Sequence, residues 1–216
     1  SFSETILPFN ERYFSIAGSS RVSKKVKSSG VLMPGSTKAC LSFIFLGFDE
    51  ITFCGQYAIT EYIEFKFDKI LPEDIKTKAE NRRLIDWFDN KFYREVTKII
   101  INERVEKRFR SVEKGGGLPN TELIRLAINT MNNHLKYMEY LLERRFWLVT
   151  NKIELADLTA ASHISCLDYL GDIPWEKFPE IKLWYSRIKS RPSFRSILTD
   201  KIVGIPPRGN YALLDF

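Results

Sequence analysis

The chain is predicted to pair a short α/β portion with an all-α portion, and three observations carry that fold class. Upstream of residue 70, the runs LSFIFLGF (41–48) and ITFC (51–54) are short and rich in β-branched and aromatic residues. Downstream of Pro72, apolar residues recur at three-to-four spacing with charges between them, as amphipathic helices require. The stretch from Glu154 to Arg195, ELADLTAASHISCLDYLGDIPWEKFPEIKLWYSRIKSRPSFR, joins a helix start, an apolar face and a Trp-Tyr helix closed by Arg-Pro.

In chain order, residues 1–35 give no convincing strand-helix-strand pattern, because Gly18, Ser19, Ser20, Ser28, Ser29 and Gly30 interrupt it. The two apolar runs, separated by Gly47, Phe48, Asp49 and Glu50, read as a hairpin, and AITEYIEFKF (58–67) reads as the helix after it. Asp68 to Glu73 is the expected linker. One long helix is expected from about Asp74 to Phe109, with Ile75, Ala79, Ile85, Phe88, Phe92, Val96, Ile99 and Ile100 on its apolar face. The turn Gly115–Gly117 and Pro119 lead to a start near Thr121 and Glu122. The stripe Leu123, Ala127, Met131, Leu135, Met138 and Leu142 then makes the next helix, its methionines core filler. A third helix carries Leu155, Leu158, Ala161, Ile164, Leu167 and Leu170 and stops at Gly171, while Phe178, Ile181, Trp184, Tyr185 and Ile188 line a fourth before Pro192. Asp157 stands three residues after Glu154, the spacing of a capping box, in which a carboxylate takes up backbone N–H groups that the first turn leaves orphaned. The expected division is 1–70, 74–200 and an extended tail, 201–216.

Composition narrows the function classes. A chain of 216 residues, 44% hydrophobic, buries a sizeable core. No apolar run approaches the roughly 20 residues of a membrane span, and SFSETILPFNERYF lacks the pattern of a signal peptide, so a cytoplasmic protein is expected. Cys40, Cys54 and Cys166 are odd in number and lack CxxC or metal-ligand spacing, which favours reduced thiols. The net charge of +6 comes from 33 basic residues interleaved with 27 acidic ones, the pattern of a solvated surface rather than a nucleic-acid stripe. The dense basic run RVEKRFRSVEK (104–114) reads as a charged helix end or as a face for an acidic protein partner. His134 and His163, each among apolar neighbours, read as structural, and no metal site is expected. The three glycines lack the Lys-Ser/Thr of a phosphate loop.

The 154–195 stretch resembles the helical half of the glutathione transferase superfamily, and two strands followed by a helix is how that family's thioredoxin-like half ends. The resemblance implies a transferase fold with a divergent thioredoxin-like N-terminal domain. It also implies three devices for glutathione: a thiolate-stabilising donor near the first helix, a cis-proline, and a Glu/Gln-Ser pair. In CGQYAITEYI, Gly55 and Gln56 occupy the places of that pair, so Gln56 is the remaining candidate for a carboxylate of glutathione while Gly55 offers no side chain. No proline occurs between Pro34 and Pro72; Ser42 or Phe43 is expected at the cis-proline position. Tyr13, Ser15, Ser19 and Ser20 are the available hydroxyls, none in a matching motif, and the catalytic residue is unassigned.

Within the superfamily the segments CGQYAITEYIE (54–64), REVTKIIINERVEKR (94–108), ADLTAASHISCLDYLGDIPW (156–175), WYSRIKSRPSFRSIL (184–198) and IPPRGNYALLDF (205–216) are similar to the FzlA-type, transferase-like division proteins of alphaproteobacteria. This likeness implies a homodimeric, non-catalytic factor that engages FtsZ, with no cofactor expected, although glutathione stays open. A divergent glutathione transferase acting on small electrophiles is the alternative. On the binding reading, Arg94, Glu95, Glu103, Arg104 and Lys107 form one candidate face. The tail offers a second: Pro206 and Pro207 keep it extended, and Tyr211, Asp215 and Phe216 either seat in a partner's groove or pack back on their own domain.

Overall fold

The computed structural model describes residues 45–48, 51–54, 56–67 and 71–214. A hairpin opens the described chain. Strand β1 (Phe45–Phe48) pairs antiparallel with β2 (Ile51–Cys54) in the register Phe45 to Cys54 through Phe48 to Ile51. The turn is therefore tighter than the four-residue separation read from the sequence, since Gly47 and Phe48 still belong to β1. Helix α1 (Gln56–Phe67) follows, starting two residues earlier than expected.

Helix α2 runs continuously from Ile75 to Phe109, capped at its start by Asp74, whose carboxylate accepts the Thr77 amide at 2.8 Å. Its winding changes along the way. Ile75–Asp86, Lys98–Ile101 and Lys107–Phe109 are α-helical. Trp87–Thr97 and Asn102–Glu106 are wound wider, with N–H groups reaching carbonyls five residues back, as from Lys98 to Tyr93 and from Lys107 to Asn102. The side chains give a reason. The buried residues Leu84, Phe88, Phe92, Val96 and Ile100 repeat every four residues, and in a pure α-helix such a stripe drifts about 40° per step. Wider turns reverse that drift and hold the stripe on one face. The stripe starts later than its sequence pattern, for Ile75 and Ala79 are exposed and burial begins at Asn81 and Leu84. Asn81 ties α2 to α4, accepting the Ala156 amide at 2.9 Å.

Helix α3 (Thr121–Leu142) is capped by Asn120, whose side chain accepts the Glu122 and Leu123 amides. Ala127, Met131, Leu135, Met138 and Leu142 are buried as expected, while Leu123 is exposed. Helix α4 (Leu155–Leu170) is buried on nearly every side and ends at Gly171, in the left-handed conformation at φ 75°. Helix α5 (Pro179–Lys189) and a short α6 (Pro192–Leu198) complete the bundle. Proline occupies the first turn of both, where its missing N–H leaves no bond unmade. The Glu139 carboxylate of α3 caps α5, accepting the Glu180 and Ile181 amides at 3.0 Å each. The wide section of α2 packs against α3 and α4, its opening α-helical turns against α4, and α5 against α3.

The capping box is formed. Asp157 is fully buried, and its carboxylate accepts the Glu154 amide at 2.9 Å, the Leu148 amide at 3.0 Å and the Trp184 indole at 2.8 Å. One carboxylate thus ties the start of α4 to the preceding loop and to α5. Burial pushes it up to about 6 even so.

Of the two courses expected for the tail, Tyr211 takes the second, which corrects its place among the partner-binding residues. Tyr211 is 1% exposed, not presented to a partner: its hydroxyl lies 3.0 Å from Ser165 Oγ and 3.4 Å from the Ile197 carbonyl, and its ring meets Tyr169 edge-on. The tail packs back on its own domain because an aromatic ring and a hydroxyl both find partners between α4 and α6.

Candidate functional site

Of the residues the glutathione devices require, Gln56 is placed in the first turn of α1, while Gly55, Tyr13, Ser15, Ser19, Ser20, Ser42 and Phe43 lie outside the described residues. Among the described residues there is no cis peptide bond. Next to Gln56, Tyr57 is half exposed and stacks its ring 5.8 Å from the Arg82 guanidinium of α2. Burial, followed by Asp86 and Asp89, pushes its phenol up, so Tyr57 is a neutral hydroxyl at physiological pH.

The two histidines sit in networks that resemble catalysis and are sealed. The Trp87 indole donates to His134 Nδ1 at 3.1 Å, which leaves Nε2–H to donate to the Glu95 carboxylate at 2.8 Å. Burial lowers the His134 pKa against the opposing pull of Glu95, and the ring stays neutral. His163 lies between Thr97 Oγ1, 3.0 Å from Nδ1, and Asp89, 3.4 Å from Nε2. That is the order of a nucleophile, base and orienting acid. Thr97 and His163 are both fully buried, however, so no substrate reaches the hydroxyl. Cys166 is buried and in no disulfide among the described residues, and no group of three potential metal ligands occurs among them.

The first candidate partner face is largely consumed inside the fold. Glu103, expected in solvent, is 3% exposed: it accepts the Asn120 amide at 2.7 Å, Lys107 at 2.6 Å and the Asn102 amide group at 3.0 Å. It closes the end of α2 onto the start of α3 across the glycine turn. Glu95 is held by Lys91 and His134, and Lys107 by Glu103. Arg94 is exposed. Asp215 and Phe216 lie outside the described residues.

Arg104 belongs to something else. It pairs with the buried Asp172 at 2.7 Å and lines a groove of about 780 Å³. The walls are the end of α2 with Arg104 and Arg108, the start of α3 with Thr121, Ile124, Arg125 and Ile128, and the tail from Gly204 to Gly209 with Arg208. No carboxylate lines it among the described residues. Burial pushes Asp172 up, while Arg104 and Arg208 pull it down, so the two guanidiniums share one buried counter-charge.

The tail wall is anchored. Tyr169 at the end of α4 donates its hydroxyl to the Ile205 carbonyl at 2.7 Å and accepts the Ile202 amide at 2.8 Å, and the Arg208 amide bonds the Tyr169 carbonyl at 3.1 Å. Gly171 is required twice over: its φ is 75°, and a Cβ there would stand 2.3 Å from the Arg208 side chain. Arg108 lies in the basic run that the sequence offers as a face for an acidic partner, whereas Arg125 and Arg208 escape sequence reasoning because they are far from it in the chain. The proline pair before Arg208 was the one available signal, and it was read as extension rather than as a wall.

Residues 124–192 match the family model for the glutathione S-transferase C-terminal domain. Over 168 residues, 77% of this chain and 72% of the relative, the chain is 40% identical to FtsZ-localized protein A of Caulobacter vibrioides. The chain belongs to the glutathione S-transferase superfamily. Among solved structures, FzlA from C. crescentus is similar at 38% identity and a TM-score of 0.73, covering 81% of this chain and 77% of that one. A glutathione S-transferase from Rhodospirillum rubrum is similar at 43% identity and a TM-score of 0.73, covering 78% and 75%. The residues that match the family model span most of α3, all of α4 and α5, and the first residue of α6.

Proposed function

We propose that this protein is a transferase-fold binding factor that acts on the FtsZ division machinery in the cytoplasm, as a homodimer and without catalysis of its own. The observation that carries the reading is the 40% identity to FtsZ-localized protein A across 72% of that relative. The glutathione side supports it. Gly55 supplies no side chain where the superfamily places a ligand for the tripeptide, and no proline is present between Pro34 and Pro72 to make the cis turn. In the helical part Thr97, beside His163, and Cys166 are both buried. No described helix is long and apolar enough to cross a membrane, which suits a partner reached from solution. The test is co-sedimentation with FtsZ polymers: the dimer, verified by analytical ultracentrifugation, is expected in the pellet with polymer and in the supernatant without it. A folded dimer that stays in the supernatant would overturn the reading.

A second reading is a divergent glutathione transferase, favoured by Gln56 in the first turn of α1 and by the R. rubrum relative's own designation. It predicts saturable thermal stabilisation at millimolar glutathione, because a ligand bound to the native state alone raises its stability. No shift is expected on the binding-factor reading.

A further inference from the structure

We infer that the arginine groove between the end of α2, the start of α3 and the tail is a docking site for an acidic, leucine-bearing segment of a partner protein. The inference rests on the protein-binding reading given above and specifies where and by what chemistry a partner is held. Four guanidiniums, from Arg104, Arg108, Arg125 and Arg208, face one groove in which no carboxylate lines the wall among the described residues. Among the described residues Arg104 forms an ion pair with the buried Asp172, whose charge Arg208 also feels. Arg108 and Arg125 are exposed, and no carboxylate among the described residues pairs with them. Like charges gathered without counter-charge repel one another, so the arrangement gains when a polyanion enters. The amino end of α3 is already capped by Asn120 and adds no open N–H to this balance; the attraction comes from arginine side chains.

Three features favour a peptide over a small anion. The groove holds about 780 Å³, many times the volume of a phosphate and within the range that accepts a substantial ligand. Its wall is mixed, with Ile124, Ile128 and Pro206 among the arginines, which suits alternating apolar and acidic side chains. Two chain neighbours of the walls, Leu118 and Val203, are 91% and 60% exposed and extend the apolar surface beyond the groove. Arginine clusters recognise carboxylates through paired N–H bonds, the usual mode for acidic motifs. The wall is fixed in advance by the Tyr169 bonds to the tail and by the close approach of Arg208 to Gly171, so little ordering remains for the bound state.

The test uses the whole chain and fluorescence anisotropy with a labelled peptide of alternating glutamate and leucine. The expected result is saturable binding that weakens with added salt, that is lost when glutamine replaces glutamate in the peptide, and that falls about tenfold or more in the double variant Arg108→Glu/Arg125→Glu. Arg144→Glu/Arg195→Glu, which makes the same charge change outside the groove, is expected to leave binding within about twofold. Equal losses in the two double variants would mean a general charge effect and overturn the proposal. So would unchanged binding in the groove variant, or binding of pyrophosphate with none of the peptide, which would make this a small-anion site. FtsZ co-sedimentation separates this proposal from the reading beneath it. If wild type pellets and the groove variant pellets equally, the groove is wrong and the FtsZ reading stands. If wild type binds the peptide but ignores FtsZ, the groove stands and the FtsZ reading fails.

Discussion

Around α4 and α5, Asp157, Asp168 and Lys189 are buried and each meets a partner; in the groove at the end of α2, Arg108, Arg125 and Arg208 are exposed, and the first two pair with no carboxylate among the described residues. Asp157 takes three donors, and Asp168 takes the Trp175 indole at 3.0 Å and Lys189 at 3.5 Å while both it and Lys189 are buried. Such groups carry a desolvation penalty that their partners offset, so removing one partner is expensive. Arg108 and Arg125 carry no such obligation. Charge inside the bundle serves folding, whereas charge in the groove is free to serve a ligand, and the same residue types do both jobs according to what surrounds them.

The comparison breaks first if Asp157 proves dispensable. Asp157→Ala orphans the Leu148, Glu154 and Trp184 donors together and is expected to remove about 3 kcal/mol or more of stability, read from urea unfolding. Lys189→Met leaves the buried Asp168 without its cation and should lose roughly 2–3 kcal/mol. Neutralising both, as Lys189→Met/Asp168→Asn, should recover a part of it.

A pH series sharpens the point. Burial raises Asp157 to about 6, so the native state binds this proton more tightly than the unfolded chain. Its contribution is fully present below the ordinary carboxylate range and is lost as pH rises through about 6. The stability of wild type minus that of Asp157→Asn should therefore fall by roughly 2 kcal/mol between pH 4 and pH 7. Tyr211→Phe removes the hydroxyl's bonds to Ser165 and the Ile197 carbonyl but keeps the ring, and should lose about 1 kcal/mol with the tail still docked, read as a small drop in melting temperature. Smallest of all, Arg108→Glu/Arg125→Glu should change stability by no more than about 0.5 kcal/mol.

The same contrast explains which parts were legible in the sequence. The helices of the C-terminal domain were, since periodicity, the Glu154–Asp157 spacing, Gly171 and the prolines are all local signals. Charged residues were harder to place. Glu103 sits in a run of charges and looks solvated, yet its partner is the Asn120 amide beyond a glycine turn, 17 positions on. The sequence leaves Tyr211 open between a partner's groove and its own domain, because its partner Ser165 is 46 positions away. Ile75 and Ala79 fit the apolar stripe but are exposed, and they precede Asn81, which bonds the Ala156 amide of α4. The groove was the least visible feature, because its arginines come from three elements and converge only through the docking of the tail on Tyr169.

The most direct measurement is a pair of readings on Arg108→Glu/Arg125→Glu: its melting temperature and its co-sedimentation with FtsZ polymers, each beside wild type. This account predicts an unchanged melting temperature and a pelleted fraction reduced to near that seen without polymer. A variant that melts early, or one that pellets as wild type does, would contradict the assignment of groove charge to binding rather than to folding.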